Sequence, residues 1–148
     1  MIYVDSDACP VKPEVMRVAK RHGLAVLFVS NSWMNLPEEW DAQQVIVENQ
    51  PDAADDWIVE RIVKDDIVIT ADIPLADRAI TAGARVIEPN GRVFSVENIG
   101  NILATRDLLK GLRDAGEISG GPGSFQKEDR SRFLQGLEKI LQEIKRGQ

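Results

Sequence analysis

The sequence predicts a three-layer α/β/α fold built on a mainly parallel sheet, closed by two C-terminal helices. Three observations predict it. Short apolar runs alternate with helical patterns along the first ninety residues, the signature of strand–helix–strand units. The run Leu24-Ala25-Val26-Leu27-Phe28-Val29 is apolar throughout, as in a strand covered on both faces. Aspartates follow several of the strands, where ligands bind in open α/β sheets.

The elements follow in order. Ile2 to Asp5 is a β-rich run, and the loop Ser6 to Pro10 leads into a helix over 11–22. Val11, Val15, Val18 and Ala19 give that helix one apolar face. Pro10 and Pro13 fall in or before its first turn, where a missing N–H is harmless, and Gly23 ends it. After the strand at 24–29 comes a polar connection over 30–44 with Trp33 and Trp40, then a short strand Val45-Ile46-Val47. Pro51 opens a helix to Val63, and Ile67 to Thr70 is the next strand. Pro74 starts a helix ending near Gly83, Val86-Ile87 is a further strand, and Asn90-Gly91 signals a turn. Helices over 96–115 and 127–146 complete the chain, joined by the Gly-rich segment Gly116 to Ser124.

The 148 residues suit one domain, 1–148, and 43% hydrophobic with 28% charged residues is a globular mix. A single cysteine excludes an internal disulfide and fits a reducing cytoplasm. The segment Met1-Ile2-Tyr3-Val4-Asp5 has no signal-peptide pattern, and no apolar run approaches the roughly 20 residues of a membrane span. A cytoplasmic protein with no membrane partner is expected. The net charge of −6 is uneven. Residues 1–99 hold 9 Lys/Arg against 17 Asp/Glu, whereas 100–148 hold 9 against 7. An acidic chain is a poor general trap for nucleic acid, so the more basic last third is where an anionic substrate would be held.

Three acidic groups stand where chemistry is expected. Asp5 and Asp7 end the first strand; Asp52, Asp55 and Asp56 open a helix; Asp72 follows the strand 67–70, with Asp77 one turn on. The i, i+3, i+4 spacing of Asp52, Asp55 and Asp56 places them on one helix face. Each group alone reads as a cap or turn residue. Three groups after three separate strands read as converging carboxylates, which need a counter-charge to stay ionised. Mg²⁺ or Mn²⁺ is the natural one, since hard cations take oxygen ligands. A lone histidine, His22, and a lone cysteine, Cys9, are too few for an ordinary zinc site. His22 reads as a helix-end residue that caps or is solvated, and Cys9 as a packing residue. Trp33 is the better aromatic for ligand contact, while Trp57 reads as packing. The glycines 120, 121 and 123 lack a P-loop ending. Beyond them Lys127, Arg130 and Arg132 oppose the dipole of a helix start. They either hold phosphate or pair with Glu128, Asp129 or the aspartate cluster.

The motifs Asp5-Ser6-Asp7-Ala8-Cys9-Pro10-Val11-Lys12, Asp52-Ala53-Ala54-Asp55-Asp56-Trp57-Ile58 and Thr70-Ala71-Asp72-Ile73-Pro74-Leu75-Ala76 are distinctive. With Gly121-Pro122, Phe125, Asp129-Arg130 and Phe133, the sequence resembles the YaiI/YqxD family of bacterial proteins over nearly its whole length. That family resembles a branch of the PIN-like nucleases. The resemblance implies a PIN-like parallel sheet, an acidic pocket for Mg²⁺ or Mn²⁺, and cleavage of RNA or DNA. It makes Asp5, Asp55 and Asp72 catalytic metal ligands, with Asp52 and Asp77 as further candidates and Asp7 peculiar to the family. Ser6 stands where alanine is usual.

Three functions are therefore in play. A metal-dependent nuclease would hold its ion on Asp5, Asp55 and Asp72 and its phosphates on Lys12, Arg130 and Arg132. A haloacid-dehalogenase-like phosphohydrolase would use Asp5 as nucleophile, with Thr70 and Asp72 in support, although no suitable lysine follows the next helix. A non-catalytic nucleic-acid- or metal-binding protein would keep the fold alone.

Overall fold

The computed structural model describes residues 1–119 and 124–147. The glycines 120, 121 and 123, and Gly121-Pro122 of the family motif, lie outside the described residues. Six strands, β1 (Ile2–Asp5), β2 (Val26–Ser30), β3 (Gln43–Ile46), β4 (Ile67–Ile69), β5 (Arg85–Ile87) and β6 (Val93–Phe94), form one sheet in the order β3-β2-β1-β4-β5-β6. The first five are parallel, and only β6 runs against its neighbour. Five α-helices connect or cover them: α1 (Lys12–His22), α2 (Ala53–Arg61), α3 (Ile73–Thr81), α4 (Ile99–Asp114) and α5 (Lys127–Lys145).

The period-two alternation of the strands divides the core into two layers. Ile2, Val4, Phe28, Ile67, Ile69 and Ile87 point to one face, against Val15, Val18 and Ala19 of α1 and Phe133, Leu137, Ile140 and Leu141 of α5. Tyr3, Leu27, Val29, Val68 and Val86 point to the other, against Ile58 of α2, Leu75, Ala76 and Ala79 of α3, and Ile99 of α4. Both faces of the central strands are therefore apolar, which is why their sequences are unbroken hydrophobic runs.

Several boundaries differ from the sequence reading, each for a local reason. The strand placed at 45–47 is β3 at 43–46. It is an edge strand, so the polar Gln43 and Gln44 are tolerated there. The helix expected from Pro51 begins at Ala53, because Asp52 takes a left-handed backbone with φ 66°. The Asn90-Gly91 turn does carry a hairpin, but its second strand is only Val93-Phe94, too short to leave a pattern. Gly91 is required there. Its φ is +95°, and a Cβ would stand 2.7 Å from the backbone carbon of Arg132 in α5.

α1 and α5 are joined by ionic contacts. Glu14, buried in the first turn of α1, accepts from Arg130 Nη1 at 2.8 Å. The same nitrogen donates to the Pro10 carbonyl at 2.8 Å, and the guanidinium lies 5.0 Å from the Phe125 ring centroid. At the other end Glu138 takes Arg21 and His22, the latter through Nε2 at 3.0 Å. Lys145 Nζ donates to His22 Nδ1 at 2.7 Å. An accepting Nδ1 makes Nε2 the protonated nitrogen of a neutral ring. His22 is thus a buried link between helices, where the sequence suggested a cap or a solvated side chain.

Candidate functional site

β1 feeds α1 and β2 on one side of the sheet, whereas β4 feeds α3 and β5 on the other. The switch point, where the chain diverges and leaves a crevice, lies between the carboxyl ends of β1 and β4. Asp5 is the last residue of β1, and Thr70-Ala71-Asp72 follows β4.

These residues are wired together. Buried Thr70 donates through Oγ1 to Asp5 Oδ2 at 2.8 Å. The Asp72 N–H donates back to Thr70 Oγ1 at 3.0 Å. Asp72 Oδ1 accepts from the Leu75 N–H at 3.1 Å and so caps α3. One oxygen of each carboxylate is thereby occupied by a neutral donor, which fixes orientation without supplying positive charge.

Asp55 enters from α2, its side facing the core, and is 8% exposed. Among the described residues no hydrogen-bond donor reaches its carboxylate. Burial, then the charges of Asp72, Asp5 and Asp52, push its pKa up to about 7, with Arg78 opposing weakly. Asp5 is also raised. Burial is the main cause and the Thr70 hydrogen bond opposes it, while the charges of Asp72 and Asp7 add to the rise. Each of Asp5, Asp55 and Asp72 thus lies within electrostatic reach of another, and Asp7 and Asp52 act from the rim. Among the described residues no three acidic, histidine or cysteine side chains stand close enough to grip one ion together.

The remaining site residues named from sequence fall elsewhere. Asp7 is exposed in a single 3-10 turn, Ser6–Ala8, and accepts from the Asn31 N–H at 3.4 Å. Asp77 lies along α3 and is not among the charges that act on Asp5 or Asp55. Asp56 does not share a face with Asp55. One residue is about 100° around a helix, and Asp56 turns outward to Arg78 at 2.8 Å. Lys12 donates to the Cys9 carbonyl at 2.9 Å, which ties the acidic loop to α1. Arg130 holds Glu14, a partner not foreseen from the sequence, and Arg132 pairs with Asp129 at 2.7 Å. Cys9 is buried among core residues, and burial raises its thiol pKa. Trp57 packs edge-on against Tyr3 at 6.4 Å, while Trp33 is 74% exposed.

Sequence reasoning underrated Thr70 as the hinge of the site. Its signal was its position, a hydroxyl two residues before Asp72 at a strand end. Glu14 left no signal, because a first-turn glutamate looks like any helix-start acid.

Fold and site define an α/β protein with uncompensated carboxylates at the switch point of a parallel sheet. The sequence profile of the uncharacterised bacterial YaiI/YqxD family matches residues 3–143, and the chain belongs to that family. It is 49% identical over 145 residues to a UPF0178 protein of Caulobacter vibrioides, covering 98% of this chain and 95% of that one. It is 51% identical over 145 residues to one from Nitrobacter winogradskyi (98% and 92% covered), and 51% over 146 residues to one from Brucella ovis (98% and 91%). No solved structure matches the chain. Among the described residues no helix is long and apolar enough to cross a membrane.

Proposed function

We propose that the protein is a metal-dependent nuclease whose catalytic pocket is formed by Asp5, Asp55 and Asp72. The observation that carries this reading is Asp55: a buried carboxylate acted on by other carboxylates, pushed up to about 7, with no hydrogen-bond donor among the described residues. Such a group is an electrostatic cost unless a cation joins it. The donor set is all oxygen, which suits Mg²⁺ or Mn²⁺. Mg²⁺ commonly keeps several waters and takes only one or two carboxylates directly. That mode fits a pocket in which, among the described residues, no three carboxylates meet at one point.

Asp5 and Asp72 are the best-oriented ligands, each held by a single neutral hydrogen bond and each retaining a free oxygen. Thr70 positions both. Asp55 completes the charge from below and must lose its proton to bind. A bound ion would supply an activated water and charge neutralisation at the scissile phosphate. Asp7 and Asp52 line the rim, where they tune the field. Arg130 and Arg132 are committed to Glu14 and Asp129, so the phosphate contact is assigned to Lys12.

The test is Mn²⁺- and Mg²⁺-dependent cleavage of labelled RNA and DNA strands. Asp5→Asn and Asp72→Asn are each expected to lower the rate at least 100-fold with an unchanged circular dichroism spectrum. Full activity in both variants would end the proposal. Acid-stable phosphate trapped on Asp5 would instead move the protein to the phosphohydrolase class.

A further inference from the structure

α4 packs against α3, the helix that Asp72 caps. Ile73, the first residue of α3, lines a cavity with Ile102, Arg106 and Leu109 of α4, whereas Ile80 and Gly83 beyond the other end of α3 line a second one with residues 95–97. The two helices therefore run antiparallel. α4 has 16 residues and α3 has 9, or about 24 Å against about 14 Å at 1.5 Å per residue. By these lengths the last turns of α4 extend past Ile73, the residue after Asp72, as an overhang.

Under the overhang lies that first cavity, about 520 Å³ in volume. Its floor is apolar: Ile73, Ile102 and Leu109. Three guanidiniums stand around it, from Arg92, Arg106 and Arg113. Arg106 and Arg113 recur at a spacing of seven on one face of α4, with Leu109 between them. Arg92 bonds the largely covered Glu88 at 2.8 Å and lies 5.0 Å from the Phe94 ring centroid, whereas Arg106 pairs with the exposed Asp107 at 2.9 Å. The exposed Arg106–Asp107 pair contributes little and leaves Arg106 able to take another anion. Arg113 has no ion-pair partner among the described residues. In a chain of net charge −6, three arginines over an apolar floor make a local exception that begins one residue after Asp72.

We infer that this cleft holds a single strand of nucleic acid, with its phosphates on Arg92, Arg106 and Arg113 and a base or sugar against Ile73 and Leu109. The inference rests on the reading of the acidic pocket as a phosphodiester-cleaving site and supplies the positive surface that pocket lacks. Arginine suits the task through its planar fork of donors. The cleft lies beside the acids and not among them, so a strand seated there passes over the pocket with one phosphate near Asp72.

The probes are fluorescent 12-nucleotide RNA and DNA strands with phosphorothioate linkages, in magnesium, followed by anisotropy at several salt concentrations. The Arg106→Gln/Arg113→Gln double variant is expected to bind at least tenfold more weakly. Its slope of log affinity against log salt should fall by about 1–2. An Arg17→Gln/Lys20→Gln variant, altered on α1 across the sheet, should bind as the native protein does. Stronger RNA than DNA binding would assign the strand type. Native affinity and native salt slope in the arginine variant would overturn the inference, as would failure of the native protein to bind either strand. The two readings fail separately. Cleavage with native affinity in the arginine variant removes the cleft and keeps the nuclease. Arginine-dependent binding without cleavage in any metal keeps the cleft and removes the nuclease.

Discussion

Two buried acids of the same fold meet opposite fates. Glu14 is 7% exposed and Asp55 is 8% exposed. Glu14 faces Arg130 at 2.8 Å, within a seam where Arg21, His22 and Lys145 also find partners on the facing helix or are found by them. Asp55 feels the charges of Asp72, Asp5 and Asp52, and the cation that acts on it, Arg78, is already bonded to Asp56. Burial is equal, so the difference is company. The α1–α5 seam is closed and serves the fold. The carboxyl end of the sheet is left with surplus negative charge, which only something from outside can relieve.

The comparison can be broken most decisively at Asp55. Its pKa in the folded chain is about 7, against roughly 3.9 for an unperturbed aspartate. The folded form then holds a proton that the unfolded chain releases, so stability falls as pH rises from about 4 and levels off above about 7. Asp55→Asn removes that penalty. It should stabilise the metal-free protein at pH 8 by up to about 4 kcal/mol, and not at all at pH 4, as read by urea unfolding. A gain that ignores pH would mean that the carboxylates do not act on one another. Saturating Mg²⁺ should shrink the gain, since the ion favours the charged form.

Arg130→Ala tests the opposite member. It leaves Glu14 buried without its cation and should cost about 2–3 kcal/mol. Adding Glu14→Gln should return part of the loss. No destabilisation would show that the pair contributes little to the seam.

A smaller effect sharpens the contrast. At pH 7 Asp55 is about half protonated if its pKa is about 7, so metal binding should release roughly half a proton per ion. Calorimetry in two buffers of different ionisation enthalpy measures this, and the release should fade by pH 9. Smallest is Asp52→Gly. Asp52 has φ 66° and makes no cap hydrogen bond, so glycine should relieve strain and add about 0.5–1 kcal/mol in thermal unfolding.

The sheet was legible because β1, β2 and β4 are buried on both faces and therefore apolar without interruption. Helices were legible from their periodicity, and Gly23 stopped α1 where expected. The edges were not. β3 begins with two glutamines, and β6 has two residues, so neither carries a pattern strong enough to read. Asp5 and Asp72 were singled out because strand ends in parallel sheets are where ligands bind, and Asp55 because it opens the helix after a strand. The sequence grouped Asp56 with Asp55 by spacing alone, and the helix separated them. Arg130 and Arg132 looked like phosphate ligands because their partners are invisible in one dimension. Glu14 lies 116 residues from Arg130, and nothing local announces that contact. The arginines of α4 were passed over for a related reason, since a cleft is made by two elements and neither shows it alone.

The bond from Arg130 to the Pro10 carbonyl has a consequence for how the molecule is made. The stretch after β1 that carries Asp7 is held through Pro10 by a residue 120 positions further along the chain. β1, β2 and β4 can pair before α5 packs, but Pro10 gains this contact only when α5 docks, beside the Lys12–Cys9 bond that holds the loop locally. Completion of the loop beside the acidic end of the sheet is thereby coupled to docking of α5.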